Sequence, residues 1–137
     1  MDHHPVIELR RASSARRAVA WAADGAPFAL LAGAMASWLG AEPVLLLPAL
    51  AVVALAAFVY QLLSHWLLGA TFGQRALGLG VVGPDGRRPG LGRAAGRAAA
   101  SVLGVVLLGI GPLVALFTRS GRGLNDLVAG TAVVEAP

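Results

Sequence analysis

Two long apolar runs, Ala18 to Leu39 and Val44 to Leu68, constrain this chain more than any other feature. Each reaches the roughly 20 residues that an α-helix needs to cross a bilayer. Only Gly40-Ala41-Glu42-Pro43 separates them, so they are predicted to form an antiparallel transmembrane hairpin. Pro48 falls in the first turns of the second helix, where a missing N–H costs little. Of the 137 residues, 57% are hydrophobic and 13% charged. A soluble domain carries about 25% charged residues, so the solvent that fits this chain is lipid.

The first run contains an anomaly: Asp24 stands inside it. A charged side chain at the centre of a spanning helix costs roughly 2.5–3.5 kcal/mol on insertion scales, so it is expected to face a partner or a wet cavity. Counted from Ala18, Asp24 lies about two turns in, within the inner part of the bilayer. Arg17 shares its helix face but sits roughly 10 Å away along the axis. Each is therefore expected to reach a group on another segment, unless one polar site holds both. Asp24 and the long leader before it also argue against a signal peptide cleaved near Ala34-Met35-Ala36. The first helix is read as uncleaved.

A third apolar segment, Ala98 to Phe117, is interrupted at Gly109-Ile110-Gly111-Pro112. It is either one kinked span or two half-length helices in a re-entrant hairpin, because Pro disfavours helix in the residue before it. Arginine placement bears on the choice. All 11 basic residues are Arg: Arg10, Arg11, Arg16 and Arg17 precede the first helix, and the turn after it carries none. Arg75, Arg87, Arg88, Arg93 and Arg97 fill the next loop, and Arg119 and Arg122 follow the third segment. The positive-inside rule puts the N-terminus, the loop and the tail all in the cytoplasm, which a re-entrant third segment allows and three full crossings do not. The expected division is a cytoplasmic tail over residues 1–17 and one membrane domain over 18–137.

Two short runs are β-prone. The stretch "RALGLGVVGPDGRRPG" reads as a strand followed by a Pro-Asp-Gly turn, and "GTAVVEAP" as a second strand. With the tail inside they can pair into a small sheet under the membrane. The expected fold class is thus an all-α integral membrane protein with a small cytoplasmic β element.

The chemistry-bearing residues are few. With no cysteine there is no disulfide framework and no thiolate ligand. No Ser-His-Asp set, carboxylate dyad or metal-ligand spacing is visible, so neither enzyme activity, nor a cofactor, nor a metal is expected. Met1-Asp2-His3 reads as a mobile tail rather than a square-planar metal site. The arginines are dispersed along the loops and predict topology, not nucleic-acid binding. Arg119, Arg122 and Asp126 fall at i, i+3 and i+7, and Arg93 and Arg97 at i and i+4. With Arg75 these are read as a supporting basic rim whose side chains snorkel to lipid phosphates. Gly92 and Gly96 fit small-xxx-small packing. His65 and Trp66 suit an interfacial belt, with a proton-handling role for His65 as the sharper alternative. Tyr60 and Gln61 are expected to face the helix bundle. Gly69, Gly73, Gly78 and Gly80 lack a following Gly-Lys-Ser/Thr, so they end a helix and open a strand instead of cradling phosphate.

Three separated stretches, "RRAVAWAAD", "GATFGQRALGLGVVGPDGRRPGLGRAAGR" and "RGLNDLVAGTAVV", resemble the RDD family of bacterial integral membrane proteins. The resemblance runs from Arg17 to Val134. It implies that the one Arg and two Asp of the family name are Arg17, Asp24 and Asp126 here, acting as a set in the plasma membrane of a bacterial cell. Asn125 departs from the His that many members carry before the second Asp, which weakens a proton relay through that position. The resemblance also implies transport, cation/proton exchange among the proposals made for members. Two readings follow: an ion- or proton-coupled transporter in which Arg17 tunes a carboxylate, or an ionic lock in a non-catalytic subunit. Such a subunit would dock a soluble partner or anionic lipid through its Arg-rich cytoplasmic face. Beyond the lipid bilayer, a homo-oligomer or larger membrane complex is the expected partner, since so few spans enclose little volume.

Overall fold

A computed structural model describes residues 9–40, 42–108 and 124–136. Helix α1 covers Ser14–Leu39, and α2 covers Pro43–Leu63. The start of α1 lies four residues before the apolar run because Ser13 caps it, its hydroxyl accepting from the Arg16 N–H at 3.3 Å. Residues 14–17, ahead of the apolar run, are thus already helical. Pro43 opens α2 at its first turn, where no N–H is required. Both helices are long and apolar enough to cross a membrane. Ala20 is the one fully buried residue of α1 among those described, and α2 buries Ala49 and Val53. Trp38 and Val44, at 86% and 81% exposure, show the rest of the hairpin turned outward. Apolar along most of their length and little buried by their own chain, the two helices are candidate membrane spans.

Helix α2 continues through a π-helical turn, Ser64–Leu68, and stops at Gly69, whose φ of +71° is the left-handed cap. The Arg88 guanidinium donates to the Leu67 carbonyl and helps satisfy that helix end. A one-turn helix, α3 (Phe72–Ala76), follows. Thr71 and Gln74 build its reciprocal capping box: Thr71 Oγ1 accepts from the Gln74 N–H at 3.4 Å, and Gln74 Oε1 from the Thr71 N–H at 3.0 Å.

The two β-prone runs form strands β1 (Leu79–Val82) and β2 (Ala132–Glu135). They pair antiparallel, Leu79 opposite Glu135 and Val82 opposite Ala132. The chain just before α1 joins them, with Ala12 N–H donating to the Val133 carbonyl and Glu135 N–H to the Arg10 carbonyl. Ala20, Leu79, Val81 and Val133 make the hydrophobic core where this ribbon meets α1.

Helix α4 (Leu91–Leu108) packs on α2 and on the short α5 (Leu124–Ala129). It begins seven residues before the expected third segment. Its buried stripe is Ala94, Arg97, Ala98 and Ser101, small residues around one guanidinium. The Gly109–Pro112 interruption, the remainder of the third segment to residue 117, and both Arg119 and Arg122 lie outside the described residues. The choice between a kinked and a re-entrant segment lies there too.

Candidate functional site

Asp24 is half-buried on α1, at the level where the hairpin meets α3. Three neutral donors converge on it. Tyr60 Oη, from α2, donates to Oδ1 at 2.8 Å, and the Gly73 backbone N–H reaches the same oxygen at 2.8 Å. Thr71 Oγ1 donates to Oδ2 at 2.5 Å. Tyr60 is itself oriented, since its oxygen accepts from the Phe72 N–H at 3.0 Å. Phe28, one turn along α1, lies against the Tyr60 ring with centroids 5.7 Å apart. The approach of α3 to α1 depends on Gly73: a Cβ there would run into the Ala20 carbonyl oxygen and stand 3.0 Å from Asp24 Cγ.

No arginine forms a salt bridge with Asp24 among the described residues. Its partners do come from other segments, α2 and the start of α3, but those described are uncharged. A carboxylate with three donors is satisfied by dipoles instead of by a counter-charge, and hydrogen bonds to an ionised acceptor are the strong kind.

Asp126 has the opposite surroundings. It is fully buried on α5, and its oxygens are divided between two guanidiniums. Arg17, from α1, donates to Oδ2 at 2.6 Å; Arg97, from α4, donates to Oδ1. Arg97 Nη1 also donates to Thr131 Oγ1 at 3.1 Å, and the Thr131 N–H closes onto the Asp126 carbonyl at 3.0 Å. Arg97 is only 3% exposed, so it belongs to this clamp and not to a lipid-facing rim, as the sequence had suggested. Arg93 serves the same helix from outside: its Nη1 donates to the carbonyls of Ala129 and Gly130, the C-terminal end of α5. Arg75 is exposed on α3, and the Asn125 side chain accepts from the Asp126 N–H at 3.2 Å.

Of the Arg17, Asp24 and Asp126 set, the structure joins Arg17 to Asp126 and places Asp24 in a separate cradle. A bridge of polar side chains spans the two. His65, in the π-helical turn and 2% exposed, has Nε2 at 3.1 Å from Gln74 Oε1 and 3.4 Å from Arg97 Nε. Gln74 belongs to the capping box of Thr71, which holds Asp24; Arg97 holds Asp126. His65 is therefore buried in the bundle, where the sequence placed it in an interfacial belt, while its neighbour Trp66 is 41% exposed.

Sequence reasoning passed over Thr71, Gly73 and Gln74 as parts of a site. The T-x-x-Q spacing of a capping box was the signal available for two of them. Gly73 had none, since its role is a close approach between segments nearly fifty residues apart.

The model of the RDD family matches this chain over residues 11–130. The uncharacterized protein YxaI of Bacillus subtilis (strain 168) is 32% identical over 85 residues. That match covers 62% of this chain and 56% of YxaI, so the aligned part spans little more than half of the relative's length. No solved structure matches.

Proposed function

This chain belongs to the RDD family of membrane proteins, and on that premise we propose that it carries ions or protons, with Asp24 as the exchanging carboxylate. The N-terminus faces the cytoplasm of a bacterial cell, the hairpin crosses the plasma membrane, and the β ribbon and α5 lie under it. The observation that carries the reading is the cradle itself: a carboxylate on an apolar helix, held by neutral donors alone among the described residues, keeps a charge that a proton or cation can neutralise.

The donors differ in what they permit. The Gly73 N–H can only donate, whereas the Tyr60 and Thr71 hydroxyls, each already accepting one backbone N–H, keep a second lone pair and can reverse. A proton on either oxygen of Asp24 is therefore accommodated by turning one hydroxyl from donor to acceptor. Pro27 lies three residues further on and offers no N–H to the Ala23 carbonyl, which adds a polar group beside the carboxylate. The Arg17–Asp126–Arg97 clamp pins α1, α4 and α5 together while Asp24 changes state. Two spans enclose little volume, so a second copy completes the path. No catalytic step is assigned.

Purified protein in vesicles containing a pH-sensitive dye tests this. Asp24→Asn is expected to abolish ion-driven proton flux while leaving protein yield unchanged; flux retained in Asp24→Asn ends the reading. The second reading is a non-catalytic subunit that docks a soluble partner or anionic lipid, and the exposure of Arg75, Arg87 and Arg88 favours it. Pull-down from native membranes separates the two, because Arg87→Ala with Arg88→Ala removes bound partners only if that face is the dock.

A further inference from the structure

The demands on the His65 ring cannot all be met at once. Gln74 Oε1 accepts from the Thr71 backbone N–H at 3.0 Å, and a backbone N–H can only donate, so the amide oxygen is fixed on the side that faces His65. At 3.1 Å from that oxygen, Nε2 bonds to it only when it carries a proton. The Arg97 Nε–H points at the same nitrogen from 3.4 Å, and it bonds only when Nε2 is bare, since a guanidinium has no acceptor.

A neutral imidazole has one proton for two nitrogens. With the proton on Nε2, the Gln74 bond forms, Arg97 faces a second donor, and Nδ1 is left bare. Nδ1 is indeed a buried nitrogen with no hydrogen-bond partner among the described residues. With the proton on Nδ1, Arg97 bonds to Nε2 and the Gln74 bond is lost; the Gln61 carbonyl, one turn back on the same helix, lies close to the ring without reaching bonding geometry. At 2% exposure, bulk water does not relieve the conflict.

We propose that His65 is a two-position hydrogen-bond switch that couples the Asp24 cradle to the Asp126 clamp. Each tautomer serves one side. The Thr71 hydroxyl both donates to Asp24 and accepts from the Gln74 N–H, so the charge on Asp24 polarises the capping box and with it the amide facing His65. Arg97 holds Asp126 through Nη1 and faces His65 through Nε, so the ring senses the clamp through one rigid guanidinium. The charged groups around the ring are Arg97 from α4 and Asp126 from α5, while α3 presents the neutral Gln74. Exchange between the tautomers passes through water admitted by local opening: one nitrogen gives up a proton, the other receives one, and none is consumed. The coupling resides in populations, and it does not depend on whether Asp24 carries an ion.

The test is solid-state nitrogen NMR on the full chain, with labelled histidine, in lipid bilayers. His65→Ala identifies the ring signals against those of His3 and His4. The wild-type chain is expected to populate both tautomers. Gln74→Leu removes the acceptor and moves the ring toward Nδ1–H by about tenfold, the weight of one net hydrogen bond. Arg97→Lys removes the Nε donor and moves it toward Nε2–H. Asp24→Asn, which touches neither ring neighbour, moves it in the same direction as Gln74→Leu. A folded Asp24→Asn protein whose ring signals superimpose on wild type overturns the proposal, as does a single tautomer unmoved by Gln74→Leu. Because no flux is read, a chain that transports nothing but shows a responsive ring would reject the transport reading and keep the switch.

Discussion

Asp24 and Asp126 are the same side chain in opposite surroundings. Asp126 is shut away from solvent and held by two arginines from two other helices. Asp24 is only half-buried and is held by a phenol, an alcohol and a backbone amide. The difference is between a charge fixed by counter-charges and one held by neutral groups. Guanidiniums on a buried carboxylate fix its charge, and removing one partner strands the others in a low-dielectric interior. Neutral donors stabilise a charge while leaving it free to be neutralised, at the expense of turning one hydroxyl.

The comparison breaks most visibly at the clamp. Asp126→Ala leaves Arg17 and Arg97 facing each other, and a loss of about 3–5 kcal/mol is expected. Protein recovered from membranes should fall steeply, and its melting temperature in detergent should drop with it. If Asp126→Ala folds as well as wild type, the clamp is not a fastening and the contrast fails.

Much of this contrast could be seen in the sequence, though not how its parts are distributed. The two long apolar helices were legible in their uninterrupted apolar runs, and their limits follow from Gly40, Pro43 and Gly69. The strand pair was legible in its turn residues and β-branched run. Asp24 declared itself by standing in an apolar run, yet its partners did not. Tyr60, Thr71 and Gly73 reach it through the packing of three segments, and none carries a charge that would mark it. Arg97 misled for a related reason: at i+4 from Arg93 it reads as a solvated pair, but the helix starts early enough to turn Arg97 inward and leave Arg93 at the end of α5. Burial, not charge placement, decided the role of each arginine.

The cradle is expected to respond less than the clamp, and in two steps. Gly73→Ala drives a methyl group against the Ala20 carbonyl, so α3 must move off α1 at a cost of about 1–3 kcal/mol. Tyr60→Phe removes one donor to an ionised acceptor and leaves the ring contact with Phe28, for about 1.5–3 kcal/mol at most. Thermal melting in detergent ranks the two against Asp126→Ala. The sharper readout is selectivity: both should impair any flux through Asp24 while the Arg17–Asp126 pairing stays intact, as reported by a disulfide engineered across α1 and α5. Equal disruption of both sites would mean that the cradle and the clamp are one unit.

The smallest effect belongs to the third ion pair, Arg16 with Glu135, 3.0 Å apart on the edge of the β ribbon. Its side chains are 46% and 32% exposed, so water screens the pair, and such pairs contribute about 0.2–1 kcal/mol. Arg16 also donates to the Leu77 carbonyl at 2.8 Å, a bond that Glu135→Gln leaves in place. Glu135→Gln should therefore shift the melting temperature barely beyond experimental scatter and leave flux unchanged. Raising the salt concentration should erase the remaining difference from wild type, since exposed pairs are screened and the buried clamp is not. A loss in Glu135→Gln comparable to that in Asp126→Ala would show that charge alone, whatever its burial, holds the ribbon to α1, and the distinction between the two carboxylates of the family set would then lose its physical basis.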